Sequence, residues 1–84
     1  MSFIQLDDHA GVIMLRVPSK EVVWLQAFFE LSEGLGAVRT YNVRENKVLI
    51  LLSKDSYDDA LALLSSIKEL VDWEFLDEPV PEFI

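Results

Sequence analysis

A chain of 84 residues with 15 acidic and 7 basic side chains carries a formal charge of -8. It is repelled by phosphate backbones and anionic headgroups, which speaks against nucleic-acid or membrane partners. It has no cysteine, so disulfides, thiol catalysis and cysteine-ligated metal are all excluded. The length suits one domain, and a domain this small buries only about 60% of its unfolded surface. A hydrophobic content of 51% therefore favours a subunit interface as an outlet for apolar side chains.

Residues 1–11 open with Phe3, Ile4 and Leu6, which suit a short strand, and then a turn, Asp7-Asp8-His9-Ala10-Gly11. The start lacks the basic region and long apolar run of a signal peptide. Val48 to Leu52, the longest aliphatic strand segment, is too short to span a bilayer. The expectation is a cytoplasmic protein. Val12 to Val17 reads as the first full strand, ended by Pro18, which has no N–H for a ladder. Ser19 suits a helix N-cap and Glu21 complements the dipole of a helix over Lys20–Glu33. In that helix Val22, Leu25 and Phe29 form an apolar stripe that Trp24, Phe28 and Leu31 widen. Gly34 fits the left-handed position past its end.

Ala37 to Val43 alternates as a strand, with Ala37, Arg39, Tyr41 and Val43 on one face. Arg44-Glu45-Asn46 makes a hairpin loop in which Asn46 tolerates positive φ, and Lys47 to Ser53 is a strand aliphatic on both faces. Asp55 or Ser56, with Asp58 or Asp59 three residues on, resembles a capping box. It opens a second helix striped by Tyr57, Ala60, Leu61, Leu64, Ile67 and Val71. Asp72 to Leu76 reads as a closing strand. Residues 77–84 read as an extended tail, because Pro79 and Pro81 interrupt any helix.

Strand, helix, strand, strand, helix, strand is the element order of the ferredoxin-like βαββαβ sandwich. Residues 1–76 would form that single α+β domain, with residues 77–84 as its C-terminal tail. Right-handed crossovers would put both helices on one face of a four-stranded antiparallel sheet of order 4-1-3-2. If Ile13, Leu15, Val17, Val48, Ile50 and Leu52 face the helices, then Met14, Leu49, Leu51 and Tyr41 form an apolar patch on the open face. A fully buried aliphatic side chain contributes roughly 1.5–3 kcal/mol, so such a patch calls for a cover. A second subunit is the leading candidate, with the tail (through Val80, Phe83 and Ile84) or another protein as alternatives. Arg16 and Arg39 on the same face could hold the carboxylate or phosphate of a small anionic metabolite. The simpler reading pairs Arg16 with Glu74 on the closing strand. Trp24 joins this set as an interface residue.

No catalytic or cofactor-binding set emerges. Asp7, Asp8 and His9 have ligand chemistry, but neighbours on one turn rarely converge on a metal. Ser19, Ser53 and Ser56 sit where caps belong. Gly34 and Gly36 follow a helix, whereas a phosphate loop precedes one. The central strands offer Met14, Arg16, Leu49 and Leu51 where an RNA-recognition domain needs stacking aromatics.

The segment from Pro18-Ser19-Lys20-Glu21 through Glu33-Gly34-Leu35-Gly36-Ala37-Val38-Arg39-Thr40 resembles an uncharacterised family of small bacterial domains. In that family a helix ending in Glu-Gly-Leu leads into a strand carrying Val-Arg-Thr, and the likeness spans about Val12 to Phe75. The element order is also similar to the ACT domain, which implies pairing into dimers and a regulatory, ligand-binding role. The chain departs from the ACT pattern at Pro18-Ser19-Lys20, where a glycine-containing ligand loop is typical. The expectation is a small, non-enzymatic, self-associating regulatory or ligand-sensing module without a cofactor, most simply a dimer. The alternative is an acidic adaptor that engages a basic protein through the open sheet face and the tail.

Overall fold

The computed structural model describes residues 3–32 and 35–81. They form a five-stranded antiparallel sheet and two helices: β1 (Phe3–Gln5), β2 (Ala10–Arg16), α1 (Val22–Leu31), β3 (Ala37–Asn42), β4 (Lys47–Ser53), α2 (Tyr57–Ser66) and β5 (Glu74–Phe75). The long strands are built where β-branched and aliphatic residues concentrate, in the Gly11–Leu15 and Val48–Leu52 runs. These two strands pair along their whole length, from Ala10↔Ser53 to Arg16↔Lys47. Bonds from Val17 N–H to Asn46 C=O (2.8 Å) and from Lys54 N–H to His9 C=O (2.9 Å) extend that contact at both ends. β3 adds to the far side of β4 through the loop in which Asn46 sits at φ 59°.

The strand order is β1-β2-β4-β3, with β5 pairing β2 off that path. This corrects the expected order at one edge. Because β4 occupies one side of β2 completely, β1 and β5 must share the other side. β1 takes Gly11 to Ile13 and β5 takes only Leu15 and Arg16. The closing strand expected over Asp72–Leu76 is accordingly cut to two residues. Gly11 makes room for β1, since a Cβ there would lie 2.6 Å from the Ile4 carbonyl oxygen and would collide with the Phe3 ring. Phe3 then meets Tyr57 of α2 edge to face, with ring centroids 4.9 Å apart.

Both helices lie on one face. Ile13, Leu15, Val17, Val48, Ile50 and Leu52 of the sheet pack with Leu25 and Phe29 of α1 and with Ala60 and Leu64 of α2. Ile67, Val71 and Trp73 complete this core, and the Trp73 indole N–H donates to Leu64 C=O at 2.9 Å. The helices are shorter than the sequence suggests. Ser19–Glu21 forms a 3-10 turn before α1, and Ser19 does not cap it. Its hydroxyl is instead 3.0 Å from Asn46 Oδ1, which ties the turn to the hairpin. α2 stops at Ser66 and not Val71, because Ile67 to Val71 turns back to deliver Trp73 to the core. Glu33 and Gly34, the expected helix end and its cap, fall outside the described residues.

Candidate functional site

Three of the seven basic residues stand on the sheet face opposite the helices. The register fixes this, since directly paired residues share a face. Val12↔Leu51, Met14↔Leu49 and Arg16↔Lys47 run down the centre, Arg39 pairs with Leu49 on one flank, and Glu74 pairs with Arg16 on the other. The face is thus aliphatic towards Val12 and Leu51 and cationic towards Arg16 and Lys47.

The expected open patch is not open. Met14 and Leu49 are each only 1% exposed. Their cover is the C-terminal segment of the same chain: Leu76 joins Val12, Met14 and Leu49 in a second buried cluster, and Val80, Ile4, Tyr41 and Leu51 pack against it. The Leu76 N–H donates to Met14 C=O at 2.9 Å, which carries the β5 pairing one residue further. Beyond that point the chain leaves the edge and crosses the face. Lys47 Nζ donates to Glu78 Oε1 at 2.6 Å in a part-buried pair. That contact raises the Lys47 pKa above its ordinary value. Tyr41 is raised as well, first by burial and then by the Glu78 charge. The chain's own tail covers the centre of this face. Burying side chains of this size contributes roughly 1.5–3 kcal/mol each, which explains why a segment carrying two prolines is ordered on the sheet.

The remaining sequence candidates separate. Arg16 forms its ion pair with Glu74 at 3.0 Å, with both side chains largely exposed. Arg39 is exposed one strand beyond β4 and borders a cavity of about 270 Å³ with Gln26, Phe29 and Glu30. With β4 between them, the Arg16 and Arg39 backbones stand roughly 10 Å apart by strand spacing alone, on the same face of the sheet. Asp7 Oδ1 accepts from the backbone N–H groups of His9 (2.7 Å) and Ala10 (2.8 Å), which lowers its pKa. The Asp7-Asp8-His9 cluster is thus a turn, and among the described residues no group of three or more His, Cys, Asp or Glu is placed to hold a metal ion.

Trp24 lies on the other side of the molecule, on the outer surface of α1. Eight of the ten residues of α1 (VVWLQAFFEL) are apolar, yet only Leu25 and Phe29 are buried. Trp24 is 58% exposed, Leu31 81%, and Leu70, after α2, 65%. Trp24, Phe28 and Leu70 line a shallow cavity of about 280 Å³. The sequence marked Trp24 through the width of its apolar arc, but Leu70 was missed, since its neighbourhood depends on where the chain turns after Ser66.

No family model matches this chain, and neither a curated protein nor a solved structure is found to be similar to it. Among the described residues, no helix is long and apolar enough to cross a membrane.

Proposed function

We propose that this chain is a ferredoxin-like, ACT-like regulatory module of the cytoplasm that pairs with a second copy of itself through α1. The reading is carried by one observation: a helix that is apolar almost all round but buried along only one narrow stripe. Trp24, Phe28 and Leu31 recur at i, i+4 and i+7, with Ala27 at the centre of the run. A two-fold axis near Ala27 and Phe28 sets Trp24 of one chain against Leu31 of the other. The small Ala27 side chain lets the two helices approach closely there. Such an arrangement is isologous and self-closing, the commonest form of homodimer. Small ligands of the regulatory class would act by changing how firmly the two copies pair.

Sedimentation velocity at micromolar concentration tests the pairing. Wild-type chain sediments as a dimer, whereas Trp24→Glu and Leu31→Glu sediment as monomers with unchanged far-ultraviolet circular dichroism. A wild-type monomer across that range, or variants that dimerise equally well, would overturn the proposal.

A further inference from the structure

The tail lies on the sheet in the manner of a bound peptide. Leu76, Glu78 and Val80 are alternate residues of an extended segment, and all three turn towards the sheet face, whereas Asp77 and Pro79 between them are exposed. Leu76 and Val80 rest on the Val12–Met14–Leu49 cluster, and Glu78 reaches Lys47. Among the described residues, no backbone hydrogen bond joins residues 77–81 to the sheet, and Pro79 and Pro81 have no N–H to give. Side chains alone hold this stretch, so it belongs to the part of the molecule that opens most readily. The surface below it matches its occupant in charge: Arg16, Arg39 and Lys47 share that face within a chain whose net charge is -8.

We propose that this face of the sheet is a docking surface for an extended segment of another protein, one carrying an acidic side chain between two aliphatic ones at two-residue spacing, and that residues 76–81 occupy it in the free chain as a tethered stand-in. The tether gives the tail a high effective concentration, so an outside segment competes only when its own contacts are better or when it is delivered at high local concentration. Lys47 sets the selectivity, because a segment with a neutral or basic residue at the middle position removes the 2.6 Å contact and leaves the part-buried ammonium only the longer, 3.4 Å pair with exposed Glu45. The surface lies across the sheet from α1, so its use is independent of pairing through that helix.

The test uses the full chain. Glu78→Lys combined with Val80→Asp releases the tail without shortening the protein, and fluorescence anisotropy follows a labelled peptide of residues 76–81. The released variant binds this peptide about tenfold or more tightly than wild type does, because its own tail no longer competes. Adding Lys47→Glu abolishes binding, and a peptide carrying Glu78→Lys restores it. A folded released variant that ignores the peptide, or binding indifferent to the Lys47 exchange, overturns the proposal. Tails exchanged between chains, seen as a wild-type dimer that Val80→Asp dissolves, would make the occupant a second copy and overturn it too. Should the released variant fail to fold, amide exchange in wild type decides. The Leu76 amide exchanges by local opening, well ahead of the Leu49 amide, if the tail is displaceable, and together with it if the proposal is wrong.

Discussion

The two faces of this sheet are built from the same two strands and sealed in opposite ways. On one face, Ile13, Leu15, Val48 and Ile50 meet two helices whose backbone groups are satisfied internally, so the cover is itself a stable element. On the other, Val12, Met14 and Leu49 meet a segment that lies outside the sheet ladder beyond Leu76 and is held by two aliphatic side chains and an ion pair. The central aliphatic positions are dry on both faces, but only on the first are they dry because of secondary structure. The lesson is that strands greasy on both sides show that a second cover exists, without showing whether it comes from another molecule or from the same chain.

Adjacent residues of β4 give the largest contrast. Ile50→Ala, on the helix side, should cost about 4 kcal/mol, because the helices can collapse only partly into the gap. Leu49→Ala, one residue away and equally buried, should cost nearer 2 kcal/mol, because the tail can settle into the space. Urea denaturation measures both, and equal losses would erase the distinction.

A smaller effect comes from pH. Lys47 and Tyr41 both bind their protons more tightly in the fold than in the unfolded chain. As pH rises past their ordinary values of 10.5 and 10.0, the unfolded chain releases protons first. Stability present below that range is therefore lost through it. Asp7 works in the other direction: its lowered pKa gives stability that is present above its ordinary value of 3.8 and lost as pH falls through the folded value. Thermal melts should show an alkaline loss that Lys47→Met reduces and an acid loss that Asp7→Asn reduces. An alkaline limb unaffected by Lys47→Met would contradict the role given to the Lys47–Glu78 contact between sheet and tail. The smallest effect belongs to Arg16→Ala, which breaks an exposed pair with Glu74 and should cost no more than about 1 kcal/mol.

The parts legible in the sequence were those encoded by local pattern. The bounds of β4, the positive φ at Asn46, the Arg16–Glu74 pair and the sharing of the first core by both helices all follow from alternation, spacing and turn chemistry. What escaped depends on contacts between distant segments. β1 is three residues long, and Gly11 read as a turn residue because its actual role, admitting Phe3 and the Ile4 carbonyl, involves a separate strand. The tail's aliphatic residues were visible, but nothing in Pro79-Val80-Pro81 states which surface they cover. The width of the α1 apolar arc marks Trp24 as an interface residue but does not say that the sheet and the helix-side core separate it from Met14 and Leu49.

Peroxide oxidation of Met14, followed by mass spectrometry at concentrations dilute enough for a monomer, tests the central claim most directly. If the chain's own tail seals the second face, Met14 is oxidised slowly at every concentration, and the rate rises when Val80→Asp loosens the tail. Rapid oxidation of the dilute wild-type chain, with protection appearing only as copies associate, would contradict the account and return the cover of that face to a second subunit.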